Sequence, residues 1–218
     1  MARDRAPIDN LIIAVDGPAA SGKGTIARAL AQHFGLPHMD TGLLYRAVAL
    51  NLWRWGGDPG NEFEALRACG DLGFNPEDPE LRSEPVSKIA SRISAYPTVR
   101  AALLDRQQNF ASQHGGAVLD GRDIGTVIAP GATVKLFVTA SAEVRAQRRM
   151  RELMGRGMPA HYEDVLVDIR SRDERDSGRA VAPLRQAADA ILLDTSELDV
   201  EQAIAEAIRL VEERIAAR

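Results

Sequence analysis

Apolar and polar positions fall into short blocks along the chain. Leu11–Val15 (LIIAV) is a β-branched apolar run, which predicts a buried strand. A glycine-rich stretch follows from Gly17 to Gly24. Ile26, Ala29, Leu30, His33 and Phe34 then recur at helical spacing, and Gly35 stops that helix. Pro37–Met39, Ala117–Leu119, Thr133–Val138 and Ala190–Leu193 read as further strands, and Ala142–Met154 as a helix. Asp199 with Gln202 makes a capping-box pattern. It opens a last helix whose apolar face is Val200, Ala203, Ile204, Ile208, Val211 and Ile215. Alternation of strand and helix predicts an α/β fold, a parallel sheet with helices on both faces.

The alternation breaks between Gly56 and Pro85, where five glycines and four prolines cluster. Arg46 to His114 therefore reads as a mostly helical insertion between two core strands, with a loop-rich piece inside it. The expected division is a core of residues 1–45 and 114–218 and an insertion of residues 46–113. Gly155–Ala160 (GRGMPA) interrupts two helical patterns and marks a candidate lid, 151–165, within the core.

A chain of 218 residues suits one large domain, or one with a small insertion. Cys69 is the single cysteine, which excludes an internal disulfide or a multi-cysteine zinc site and fits a reducing cytoplasm. The apolar runs are far shorter than the ~20 residues of a membrane span, and MARDRAPIDN carries charges where a signal peptide would be apolar. A net charge of −4 argues against a nucleic-acid partner that coats the surface. Lys23, Lys88 and Lys135 are the only lysines among 27 basic residues, so Lys23 stands out by its position.

That position is Gly17-Pro18-Ala19-Ala20-Ser21-Gly22-Lys23-Gly24-Thr25, a G-x-x-x-x-G-K phosphate loop between a predicted strand and helix. Glycines let backbone N–H groups turn toward phosphate oxygens, the helix N-terminus adds positive charge, and Lys23 supplies a compact cation. Gly24 stands where Ser or Thr usually holds magnesium, so Thr25, or a water, is the candidate for that contact.

Asp40-Thr41-Gly42 with Tyr45-Arg46, and Asp120-Gly121-Arg122-Asp123, follow two other strands. In a doubly wound sheet both turns lie beside the phosphate loop, where Arg46 and Arg122 could converge on one phosphate. Val118-Leu119-Asp120 resembles a Walker B strand, with Asp120 a candidate for Mg²⁺ through water. Nine arginines lie between Arg145 and Arg179 among seven acids. A solvated face of i,i+4 pairs accounts for part of them. A lid that closes Arg donors on a transferred phosphate accounts for the rest, with Arg148, Arg149 and Arg172 the candidates. Arg172 and Asp176 are spaced either for a plain surface salt bridge or for a shared site.

Together GPAASGKGT, MDTGLLYR, ASRISAYPTVRAALLDRQ, LDGRDIGTV, AQRRM and RDERDSGRAVAPL resemble the bacterial cytidylate kinase family over nearly the whole chain. The resemblance implies a P-loop fold with a five-stranded parallel sheet, an acceptor-binding insertion and a small lid. It implies transfer of the ATP γ-phosphoryl group to CMP or dCMP with Mg²⁺, in a cytoplasmic monomer. By position, Thr41, Arg100, Asp123 and Arg179 would contact cytosine, and Ser91, Arg172 and Asp176 the sugar. Arg46 and Arg122 would hold the acceptor phosphate, and Gly17–Thr25 the donor. An Asp can accept from cytosine N4 and an Arg can donate to N3 and O2, whereas uracil reverses two of these partners. A kinase for UMP, AMP, shikimate or dephospho-coenzyme A would keep the loop without a reason for that pair. A guanine-nucleotide switch would carry N-K-x-D, which the sequence lacks.

Overall fold

Five strands form one parallel sheet in the order β2-β3-β1-β4-β5. They are β1 (Leu11–Asp16), β2 (His38–Asp40), β3 (Gly116–Gly121), β4 (Val134–Thr139) and β5 (Ile191–Asp194). Strand β1 is central: Ile13 pairs with Val118 on one side and Val134 on the other, and Asp16 with Gly121 and Phe137. Helices cover both faces, so β1 is apolar without alternation. This computed structural model describes residues 10–70 and 72–217. The reading of MARDRAPIDN as lacking a leader falls almost wholly outside them.

Helices α1 (Lys23–Phe34) and α8 (Val200–Ala216) cover one face, where Ile26 and Leu30 pack with Ala203, Ala207 and Val211 against Ile13 and Val15. On the other face, Leu104 and Phe110 of α5 (Pro97–Ala111) pack on Ala14, Ala117 and Leu119. The segment expected as an insertion forms a second core. In it α2 (Thr41–Arg54), α4 (Glu84–Ile93) and α5 bury Leu52, Leu81, Ile93 and Leu103, with the short α3 (Glu62–Arg67) at its side. Helix α2 runs straight across the expected boundary after residue 45. The arms α6 (Ala142–Gly155) and α7 (Tyr162–Ser177) pack on each other through Ala146, Leu153, Val165 and Ile169, with Ala19 of the phosphate loop at their base.

Two helix faces differ from their expected form. On α1 the buried positions are Ile26, Ala27, Leu30 and Ala31, while His33 is exposed, 3.4 Å from Glu212. The neighbouring α8 turns the buried stripe of α1 toward itself. On α8, Val200 is 63 % exposed and Ala207 is buried instead. The capping box of Asp199 and Gln202 forms as the spacing predicts. Asp120 lies inside β3 rather than after it.

Candidate functional site

At the carboxyl end of β1 the chain wraps tightly and enters α1. A Cβ at Gly17 would meet the Val138 carbonyl oxygen at 2.0 Å, so only glycine lets the loop pass β4 this closely. Gly22 adopts a left-handed φ of 88° before α1 begins. Arg145, buried on α6, fixes the loop from above. It donates to the carbonyls of Ala140 (2.8 Å) and Ala19 (3.3 Å) and grips Asp173 of α7 with two bonds of 2.9 and 2.7 Å. Spacing alone left Arg145 among the surface arginines.

Beside the loop opens a cleft of about 600 Å³, lined by Lys23, Arg46, Arg122, Arg149 and Arg172, with Glu84 on the insertion side. These cations are crowded. Burial, with Arg122 nearby, pulls Lys23 down to about 7. The same two causes bring Arg172 to about 9. Burial lowers Arg46 to about 10, although Asp40 opposes it. Such a cluster of desolvated positive charge is complementary to a polyanion. Arg46 donates to the Leu81 carbonyl (2.9 Å) and to Ser87 Oγ (3.1 Å), which anchors it between α2 and α4.

A smaller pocket of about 60 Å³ continues from the cleft between α2, α4 and the turn after β3. Arg100 and Asp123 form a buried ion pair in its wall. Arg100 also donates to the Ser94 carbonyl at 3.3 Å and stands 5.7 Å from the centre of the Tyr45 ring. Thr41 Oγ1 donates to the Asp120 carbonyl at 2.8 Å. Ser91 Oγ is buried without a partner, as are Nε of Arg172 and Nε of Arg179. These are donors and acceptors that a polar ligand can satisfy.

Asp176 is the hub of this pocket. It accepts from Arg122 Nε at 2.8 Å and from Arg179, and Arg172 Nε lies 4.0 Å away. Burial alone would raise its carboxyl, but Arg122, Arg179 and Arg172 outweigh burial and hold it below the ordinary range. With 1 % of its surface exposed, Asp176 is no surface salt bridge.

The three candidate lid arginines separate. Arg172 faces the cleft, with Ser87 Oγ 3.5 Å away. Arg149 pairs with Glu84 of α4 and with Glu152 at 2.6 Å. Arg148 turns to the other side of the phosphate loop, donating to Thr195 Oγ1 (2.9 Å) and to the Thr195 carbonyl (2.6 Å). There it lines a second cavity of about 560 Å³ with Gly22, Thr25, Leu198 and Ile204. Thr25 is exposed toward that cavity.

Asp16, His38 and Asp40 have no role in the sequence reading, whereas Asp120 is its candidate for Mg²⁺. Asp40 and Asp120 both stand near Lys23; burial, then the charge of Asp120, raises the Asp40 carboxyl. His38 meets Asp120 Oδ1 at 2.8 Å. Asp16 accepts from the backbone N–H groups of Ile124 and Gly125, each at 2.8 Å. A strand ending in Asp is common enough to say nothing until its partner is seen. Among the described residues no three His, Cys, Asp or Glu side chains group as a metal site, and no helix is long and apolar enough to cross a membrane.

A strand, a lysine-bearing phosphate loop and a helix, with an arginine-lined cleft beside them, define a phosphate-loop kinase fold. Solved structures with this fold include an uncharacterized protein from Eubacterium ventriosum (16 % identity, TM-score 0.57, 94 % of this chain and 99 % of that one). A gluconokinase from Sinorhizobium meliloti is similar as well (16 % identity, TM-score 0.51, 94 % and 96 %). The family profile described as Cytidylate kinase matches residues 13–213. Curated proteins named cytidylate kinase are 60 % identical in Xanthobacter autotrophicus, over 95 % of this chain and all of that one, and 57 % identical in Methylocella silvestris, over 93 % and 94 %. The chain belongs to the cytidylate kinase family of phosphotransferases.

Proposed function

We propose that the protein phosphorylates CMP and dCMP at the expense of ATP. An oxygen of the acceptor's phosphate bonds to the γ-phosphorus of ATP while the bond from that phosphorus to the β–γ bridging oxygen breaks, giving ADP and CDP or dCDP. The observation that carries the reading is the buried Arg100–Asp123 pair in a pocket beside a phosphate loop. A carboxylate that accepts from N4 and a guanidinium that donates to N3 and O2 favour cytosine over uracil. Thr41 and Arg179 complete the base contacts in this reading. Ser91, Arg172 and Asp176 serve the sugar, and Arg46 and Arg122 hold the acceptor phosphate.

Catalysis by such a site is mainly positioning and electrostatics. Residues Gly17–Thr25 wrap the donor phosphates, and Lys23 follows the charge of the moving phosphoryl group. Arg122, joined to Asp176, and Arg172 approach the same phosphates from β3 and α7. Arg149 reaches them by exchanging Glu84 for phosphate as the lid at 151–165 closes over the insertion at 46–113. Arg148, occupied at Thr195, supports the donor side of the loop rather than the transferred group.

Mg²⁺ fits this donor set. It is a hard cation that is usually held by one or two carboxylates, water and substrate phosphates, and Asp120 and Asp40 offer two carboxylates close enough for one to raise the other. Asp120 would hold it through water, with Thr25 the less favoured ligand. The ion supplies neutralisation of phosphate charge when bound. The protein's single cysteine, the half-buried Cys69, suits a reducing cytoplasm.

A coupled assay of ADP release with CMP, dCMP, UMP, AMP and shikimate tests the reading. CMP and dCMP should be the efficient acceptors. Preference for UMP, AMP or shikimate would overturn it.

A further inference from the structure

The acceptor pocket depends on a carboxylate that lies outside it. Residues Ile124–Ile128 form one π-helical turn, and Asp123 stands at its N-terminal cap position. An aspartate there ordinarily bends back and accepts from the first N–H groups of its own turn. Asp123 makes no such bond; its carboxylate is committed to Arg100. The N–H groups of Ile124 and Gly125 are buried and need acceptors from elsewhere. Asp16, the last residue of β1, provides them from 108 and 109 positions away in sequence: Oδ1 accepts from Ile124 and Oδ2 from Gly125.

The choice of residue is specific. Two N–H groups of consecutive residues converge on two oxygens, which a carboxylate offers and a carboxamide does not. Asp16 is buried and forms no ion pair among the described residues. A buried carboxylate without an ion-pair partner is costly unless N–H groups satisfy it, and here the two amides of the turn do so. The surroundings are packed: a Cβ at Gly125 would lie 3.4 Å from Asp16 Oδ2 and 3.0 Å from Lys135 Cδ.

We propose that Asp16 is a positioning residue for acceptor recognition. By capping the turn in place of Asp123, it leaves the Asp123 carboxylate free for Arg100 and the acceptor base. Asp16 directly precedes the phosphate loop, and Arg122 directly precedes Asp123. The same two bonds tie the end of β1 to the turn that carries Arg122 and Asp123. Without Asp16, the Asp123 carboxylate swings back onto its own turn, and the pocket loses the group that tells an amino from a carbonyl at C4.

The inference rests on the acceptor reading above, and the test separates the two. Wild type, Asp16→Asn and Asp16→Ser are assayed with saturating ATP and either CMP or UMP, and then with saturating CMP and varied ATP. Failure of the wild type to prefer CMP over UMP would sink the acceptor reading itself. If the wild type prefers CMP, the variants should lose roughly ten-fold or more of the CMP-to-UMP ratio in kcat/KM. The loss should lie mainly in KM for CMP, with KM for ATP little changed. An unchanged ratio, or equal losses with both acceptors, would overturn the positioning role and leave Asp16 a structural residue. Should neither variant fold, hydrogen exchange in the wild type decides. Ile124 and Gly125 amides that exchange as slowly as those of β1 sustain the clamp, and exchange at the rate of exposed loops refutes it.

Discussion

Arg100 and Asp123 meet as a buried ion pair although one stands on a helix of the second core and the other on the turn that follows β3. The pair joins the second core to the turn after β3 in the wall of the smaller pocket. Removing one partner leaves the other buried and uncompensated, so Arg100→Met should lower stability by about 3–5 kcal/mol. Asp123→Asn, which keeps an acceptor for Arg100, should cost less stability. It should still lower CMP efficiency by about 1–3 kcal/mol, on the order of 10- to 100-fold. Activity with UMP should fall much less. Steady-state kinetics with both acceptors and a denaturant melt of each variant check this.

Lys23 is a half-buried ammonium in the wall of the cleft whose proton is already loosely held, at about 7. Its replacement by Ala removes an unfavourably placed charge from the free protein. Melting temperature should therefore hold or rise, while kcat drops on the order of 10²–10³-fold or more through lost stabilisation of the transition state. Turnover like that of the wild type would refute the role given to the loop.

Asp176→Ala should damage both fold and activity. Three arginines lose their shared counter-charge, and Arg122 and Arg179 are left buried together. The expected cost is about 3–5 kcal/mol in stability, together with a more than ten-fold loss of turnover with CMP and dCMP. Asp176→Asn, isosteric and neutral, separates charge from shape. If its melt matches the wild type, the triple pairing is not holding the pocket.

Arg149 on Glu84 and Arg156 on the Arg82 carbonyl at 3.1 Å join α6 and the segment after it, the proposed lid, to the second core. Amide exchange across 151–162 should slow when a bisubstrate analogue occupies both sites. Glu84→Gln should loosen the segment in the free enzyme. Equal exchange with and without ligand would argue against a lid.

Asp16 should leave a signature in stability against pH. Burial pushes its carboxyl from 3.8 up to about 6, against the pull of the Gly125 and Ile124 N–H groups; Asp123 raises it further and Lys23 lowers it. Lys135 of β4, beside Gly125, is paired with Asp189 at 2.9 Å. A carboxyl raised on folding contributes stability in full below its unfolded pKa, and the contribution is lost as pH rises through about 6. Relative to the wild type, Asp16→Asn should therefore gain up to ~3 kcal/mol between pH 4 and pH 7. Urea unfolding at several pH values measures the difference; a flat difference would mean that Asp16 is charged in both states.

Local features were legible because near neighbours encode them. The apolar run of β1, the spacing of the phosphate loop, the glycine after α1 and the Asp199–Gln202 cap each depend on a few adjacent residues, and each formed within one or two positions. The loop-rich character of 56–85 was equally plain from its glycines and prolines. The blocks DGRDIGTV and RDERDSGR hold residues that line the smaller pocket.

Spacing could not assign partners among similar charges. Arg148 and Arg149 are adjacent, yet one faces Thr195 across the phosphate loop and the other Glu84 across the cleft. Asp176 of α7 is buried where Arg122, 54 positions away, arrives on the turn after β3. Asp16 caps a turn 108 residues distant. Solvent exposure, and hence the strength of every one of these charges, is set only when separate segments exclude water together. The sequence by itself determined the elements and the chemistry they carry; packing decided which carboxylate caps a turn, which one pairs with Arg100, and which arginines face the cleft.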